Sequence, residues 1–178
     1  MRDQILYRVL QESIEERMTG LIIWSKDRPA QLDLLLQSVK KYCPDVFGEI
    51  HVIYKYSNEL YRDGYLKCVN YHLNELDVFL YKEHNLAKDT KQSLSYFDYC
   101  AVSTDDTVFF DYFSLDEEVM SDVDIFSLRL GKNTIIQNPF DNSIQPALTQ
   151  YTEENGLLTW DFRLHHPNSN YGYPFGFD

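Results

Sequence analysis

A chain of 178 residues, 44% hydrophobic and 15% aromatic, is long enough to bury one sizeable core and too short for two ordinary domains. That composition excludes disorder, and one domain spanning residues 1–178 is the expectation. The formal net charge of −12 excludes a general nucleic-acid binder, so any anionic ligand must be met by a metal ion or a few placed cations.

Met1 to Arg17 holds no signal-like apolar run, and no segment approaches membrane-spanning length, so a cytoplasmic protein without a membrane span is expected. Cys43, Cys68 and Cys100 match neither a CxxC metal spacing nor an even disulfide set, and read as reduced core residues. In chain order, Ile5, Leu6, Val9, Leu10, Ser13 and Ile14 share one face of an expected helix over about Asp3 to Met18. Leu21-Ile22-Ile23-Trp24 reads as a first buried strand, and Asp27 with Pro29 as the cap and first turn of a helix burying Leu32, Leu35, Leu36, Val39 and Tyr42. Pro44 stops that helix, and Ile50 to Tyr54 alternates like a second strand. A helix over about Glu59 to Leu73, a strand over Asp77 to Tyr81 and a helix over about Lys88 to Phe97 continue the cycle. Alternation of this kind implies right-handed crossovers and a mostly parallel sheet covered on both faces.

The fourth strand, from Tyr99, ends abruptly in Asp105-Asp106 before a second apolar run. Adjacent carboxylates at the end of a buried strand repel one another and resist desolvation, so they sit best beside water, a cation or a donor network. A divalent metal carrying phosphate would satisfy them. A solvated acidic loop would too, and between Gln92 and Leu128 there are nine acidic residues and no Lys or Arg. Ligands of open parallel sheets bind outside the carboxyl ends of the strands. That edge comprises Ser25 to Arg28, Lys55 to Asn58, Lys82 to Asn85 and Ser103 to Asp106. Beyond Asp111 the periodicity weakens, with strands expected over Asp124 to Leu130 and Leu157 to Leu164 and a turn over Asn138 to Asn142.

From about Gly20 to Phe110 this order of elements, with the loop Ser25-Lys26-Asp27-Arg28-Pro29 after the first strand and Asp105-Asp106 after the fourth, resembles the GT-A fold glycosyltransferases, loosely those of glycosyltransferase family 2. The resemblance implies a three-layer α/β/α Rossmann-like domain, with residues 1–110 holding a nucleotide sugar and residues 111–178 forming an acceptor side shorter than the family's. It implies a Mn²⁺ or Mg²⁺ ion at Asp105 and Asp106, bridging the diphosphate of a donor, with a UDP-sugar as the leading partner. The family's motif is Asp-x-Asp; here Ser103 stands where its first aspartate would often be, and Tyr54-Lys55-Tyr56-Ser57 replaces the acidic pair often found after the second strand.

On that reading Ser25 and Asp27 line the nucleotide loop, Arg28, Lys26 or Lys91 meets phosphate charge, and Tyr54 or Tyr56 stacks on the base. Bland readings stand beside these: Arg28 pairing Asp27, Lys91 on a solvated helix face, and the tyrosines half-buried in the sheet. An inverting transferase needs a carboxylate base for the acceptor hydroxyl, and Asp161 and Asp178 are the candidates. The adjacent His165 and His166 diverge in extended backbone and do not share a metal. A nucleotidyltransferase would want glycines in the first loop, and a haloacid-dehalogenase-like phosphatase an aspartate at Ser103. The rival from another class is a nonenzymatic nucleotide- or partner-binding module that keeps the fold. Four aromatics within Asn170 to Asp178 are expected to cover apolar surface on the domain itself or on a partner copy in a homo-oligomer.

Overall fold

The computed structural model describes residues 19–112, 136–138, 143–144, 148, 150–154 and 157–164. The expected first helix and the strand over Asp124 to Leu130 lie outside the described residues, as do Asp178, the His165-His166 pair and the aromatic tail. The chain divides into two compact units, Met1–Leu115 and Asp116–Asp178. No helix among the described residues is long and apolar enough to cross a membrane.

In the first unit β1 (Thr19–Lys26), β2 (Glu49–Lys55), β3 (Val78–Lys82) and β4 (Tyr99–Thr104) alternate with α1 (Pro29–Tyr42), α2 (Glu59–His72) and α3 (Leu86–Leu94). The strands form one parallel sheet in the order β3-β2-β1-β4. Because the second crossover steps away from β1 and the last returns to its other side, the chain reverses direction across the sheet between β1 and β4. A reversal of this kind opens a crevice at the strands' carboxyl ends.

Strand period decides which helix meets which face. Leu21 and Ile23 of β1 and Ile50 and Val52 of β2 join Leu32, Leu35, Leu36 and Val39 of α1 and Tyr65, Cys68 and Val69 of α2 in one buried cluster. Each fully buried Leu or Ile there contributes about 1.5–3 kcal/mol of transfer free energy. The alternate residues face α3: Trp24 Nε1 donates to Thr90 Oγ1 at 3.0 Å, and His51 lies within aromatic contact of Phe79, Tyr81, Tyr96 and Phe97. The result is the expected α/β/α layering. Gly20 is required on that second face, since a Cβ there would stand 2.4 Å from the Phe97 ring. Past β4 the chain runs over α1, where the Phe109 N–H donates to Ser38 Oγ at 3.0 Å.

Local boundaries follow the capping chemistry. α3 begins at Leu86, earlier than the periodicity suggests, because Asn85 Oδ1 accepts from the Lys88 N–H while Asp89 Oδ2 accepts from the His84 and Asn85 N–H groups. Those backbone donors hold the Asp89 carboxyl below its ordinary range. Asp27 does not cap α1: Arg28 occupies the cap position without a side-chain cap hydrogen bond, and Pro29 supplies the first helical residue. The free thiols Cys43, Cys68 and Cys100 are pushed up by burial to about 11, about 12 and about 11, so they stay protonated at neutral pH.

The second unit's described residues form two short antiparallel pairs, β5 (Ile136–Asn138) with β6 (Ser143–Ile144) and β7 (Thr152–Glu154) with β8 (Leu157–Thr159). A 3₁₀ turn over Phe162–Leu164 follows. The single strand expected over Leu157 to Leu164 thus stops at Thr159, and the backbone then turns so that the Leu164 N–H bonds to the Asp161 carbonyl.

Candidate functional site

β1 and β4 are paired through Trp24 and Thr104, and the Asp105 N–H adds one more bond to the Trp24 carbonyl at 3.1 Å. This last rung fixes Asp105 against the end of β1. Ala101, Ser103 and Asp105 share one parity along the strand, so the period that puts Ala101 against the α1/α2 core also turns the Asp105 side chain inward. Only 3% of Asp105 remains exposed.

A buried carboxylate at this depth needs donors. Ser25, at the end of β1 and also buried, donates its hydroxyl to Asp105 Oδ2 at 2.6 Å. Ser25 Oγ is in turn 2.6 Å from the Tyr65 hydroxyl of α2, and that hydroxyl accepts from the Arg28 N–H at 3.0 Å. With Asp105 ionised and able only to accept, the proton order is set: Tyr65 O–H donates to Ser25, and Ser25 O–H to Asp105. Three segments of chain therefore lock one carboxylate.

Asp106, the next residue, is half exposed. The Thr104 hydroxyl donates to its Oδ1 at 2.6 Å. Arg28 Nη1 lies 2.9 Å from Asp106 Oδ2 and 3.5 Å from Asp105 Oδ1, so one positive charge sits between the two carboxylates. The environments push the pair apart. Burial raises the Asp105 carboxyl above its ordinary range against the opposing pull of Ser25 and Arg28. The Thr104 hydrogen bond leads in lowering that of Asp106, with Arg28 adding to it. Neighbouring carboxyls driven in opposite directions are a common property of binding and catalytic sites.

Two loops are tied to this cluster. Asp27 holds a left-handed backbone, φ 58°, its N–H bonds to the Lys55 carbonyl, and its Oδ1 accepts from the Ser57 N–H at 2.7 Å. It clasps the loop after β1 to the loop after β2. Aspartate tolerates this conformation better than most residues. The clasp sets Tyr54 and Tyr56 beside the cluster: Tyr54 lies 5.0 Å from the Tyr65 ring and 6.0 Å from that of Tyr56. Lys82 Nζ donates to the Tyr56 hydroxyl at 3.0 Å and lies 4.6 Å from the ring centroid.

Of the residues that sequence reasoning points to, Ser25, Arg28, Asp105 and Asp106 come together, and Asp27 and Tyr56 are attached through the neighbouring loop. Arg28 pairs the two strand-end aspartates rather than Asp27. Lys91 stands apart, exposed on α3, which covers the opposite face of the sheet. Asp161, in the second unit, accepts from Arg163 through both carboxylate oxygens, at 2.8 and 2.7 Å. Tyr65 and Thr104 are the additions the structure makes. Tyr65 falls in the Tyr65-Cys68-Val69-His72 stripe, which reads from sequence as plain core spacing.

The arrangement can present two carboxylate oxygens to one cation and an arginine to an anion. α1 starts within the same loop without a side-chain cap, and the free amides of a helix start favour negative charge. The fold is a Rossmann-like α/β/α sheet with this cluster at its switch point. No protein-family model, no curated protein and no solved structure matches the chain.

Proposed function

We propose that the chain binds a nucleoside diphosphate, and the sugar it carries, at the carboxyl ends of β1 and β4, and that it is a glycosyltransferase-like protein using Mn²⁺ or Mg²⁺. The observation that carries this reading is the convergence of Asp105 Oδ1 and Asp106 Oδ2 on a single cationic atom, Arg28 Nη1. Two carboxylate oxygens already directed at one positive charge suit a hard divalent ion, which would bind the diphosphate and neutralise charge on the leaving group.

The chain's own residues have distinct roles on this reading. Asp105, held by Ser25 and the β1–β4 ladder, is the fixed anchor. Asp106 is the solvent-accessible one, half exposed and oriented by Thr104. Arg28, with half of its side chain exposed, is free to exchange the carboxylates for phosphate oxygens once a metal takes its place. Tyr56 offers a ring for the base beside the same loop. A net charge of −12 repels a diphosphate elsewhere on the protein, which makes a metal-assisted site the natural place for one.

A second reading, a nucleotide-binding module without sugar transfer, is favoured by one observation. Asp161, the described candidate base, is engaged through both carboxylate oxygens by Arg163. Titration calorimetry with UDP in Mn²⁺ and in EDTA tests the common core of both readings. Binding that Mn²⁺ strengthens at least tenfold is expected. Equal affinity in EDTA removes the metal bridge, and absence of binding by any nucleoside diphosphate removes the site. Turnover of a nucleotide sugar then separates transferase from module.

A further inference from the structure

Away from that cluster, α1 and α2 bring together three side chains of different chemistry. Asp33 projects from α1, and Cys68 and His72 stand four residues apart on one face of α2. One donor atom from each lies within 4.8 Å of the other two. His72 is fully buried, and its Nε2 is 2.8 Å from Asp33 Oδ1. Its Nδ1 has no hydrogen-bond partner. One carboxylate, one thiol and one imidazole, brought within reach of one another by two helices, make a mixed donor set of the kind that transition metals take.

We infer that Asp33, Cys68 and His72 form a binding site for a borderline-soft divalent cation of the Zn²⁺ class, clamping α1 to α2. Zn²⁺ takes sulfur at about 2.3 Å and imidazole nitrogen or carboxylate oxygen at about 2.0–2.2 Å, so tetrahedral neighbours sit roughly 3.3–3.7 Å apart. The donor atoms, all within 4.8 Å of one another, stand near this spacing. The thiol selects against Mg²⁺ and Ca²⁺, which take oxygen donors. The second carboxylate oxygen is already occupied, since Gln37 Nε2 donates to Asp33 Oδ2 at 2.7 Å. That bond orients the carboxylate and leaves Oδ1 for the ion, as outer-sphere partners do in metal sites. One third of the Asp33 side chain is exposed, giving the ion an entry and a fourth position for water. On binding, the Cys68 thiol loses its proton to solvent and the His72 ring proton moves to Nδ1, so Nε2 is freed for the metal.

The site is independent of the diphosphate reading, and the experiment keeps the two apart. The reduced full chain, stripped with a chelator, is titrated with Co²⁺ and then Zn²⁺. A single equivalent of Co²⁺ giving a thiolate charge-transfer absorption, displaced by Zn²⁺ with a rise in melting temperature, is expected. Cys68→Ala should abolish that absorption in a chain whose far-ultraviolet circular dichroism is unchanged. Asp33→Asn, at a partly exposed position, should weaken Zn²⁺ at least tenfold. Asp105→Asn with Asp106→Asn should leave the thiolate absorption intact. No thiolate absorption at stoichiometric Co²⁺, or the same absorption in Cys68→Ala, overturns the proposal.

Discussion

Ser25 donates its hydroxyl to Asp105 Oδ2 at 2.6 Å across the seam between β1 and β4, although the two residues are 80 positions apart in the chain. That contact ties the candidate site to the fold, because Ser25 lies near the end of β1 and Asp105 is the first residue past β4, bonded through its N–H to the Trp24 carbonyl. The buried carboxylate of the candidate site is thus held by the same sheet geometry that makes the core. Its burial is a cost that only part of the network offsets.

The first prediction follows from that cost. Burial raises the Asp105 carboxyl above its ordinary value of 3.8. A group with a raised folded value contributes stability that is fully present below the unfolded value and lost as pH rises through the folded one. At neutral pH the charge is therefore a net burden, and Asp105→Asn removes it while keeping an acceptor for Ser25. The variant should melt higher at neutral pH, by up to about 2 kcal/mol, a normal range for relieving a strained site. The difference should shrink on acidification. Metal-dependent nucleotide binding should be lost. Urea denaturation at neutral and acidic pH checks this; a destabilised Asp105→Asn means that the charge itself holds the fold.

The second prediction concerns Tyr65. Tyr65→Phe removes the acceptor of the Arg28 N–H and the donor to Ser25 together. Leaving such buried groups unpaired costs about 1–3 kcal/mol. Ser25→Ala should cost less in the Tyr65→Phe background than in the wild type, since the hydroxyl chain is already broken. Additive losses in a double-mutant cycle would show that the two hydroxyls act separately.

How far this site could be read from sequence depends on where its information lies. The strands and helices follow from local period: Leu21-Ile22-Ile23 and the Leu32-Leu35-Leu36-Val39 stripe are legible because burial repeats along the chain. Ser25, Arg28, Asp105 and Asp106 are legible as a group because parallel topology brings all carboxyl ends to one edge. Tyr65 is not, since its hydroxyl reaches Ser25 only through the rotation of α2 against the sheet. Asp27 misleads for a local reason. Aspartate before Pro29 resembles a helix cap, but the left-handed backbone turns it to the Ser57 N–H of another loop. The Asp33, Cys68 and His72 cluster has no motif spacing, because it is assembled by packing two helices.

The third prediction tests the close approach on the α3 face. A Cβ at Gly20 would meet three atoms of the Phe97 ring at 2.4 Å. Gly20→Ala should cost about 1–3 kcal/mol as overpacking, although alanine in an open strand position would be the better residue. In a Phe97→Leu background the same substitution should become neutral or mildly stabilising. Equal losses in both backgrounds, measured by urea denaturation, would place the requirement in the Gly20 backbone instead of the ring.

The last prediction is a pH dependence from the same layer. His51 is buried among Phe79, Tyr81, Tyr96 and Phe97, with Nε2 3.4 Å from Glu49 Oε2 and Nδ1 without a hydrogen-bond partner. Burial lowers its value below the ordinary 6.5, and Glu49 opposes the shift only in part. Unfolding then takes up a proton, so the unfolded chain binds more protons than the folded one once the pH falls below about 6.5. The stability associated with neutral His51 is present above the unfolded value and is lost as pH falls through the folded one. A single group limits the slope to about 1.4 kcal/mol per pH unit. The Asp105 carboxyl acts in the opposite sense at lower pH, so the measurement belongs in the Asp105→Asn background. There, melting temperatures taken from about pH 7.5 to about pH 5 should fall with acid, and His51→Phe, which keeps a ring in the aromatic cage, should flatten the fall. An unchanged slope in His51→Phe would assign the acid sensitivity to other groups and leave His51 a neutral packing residue.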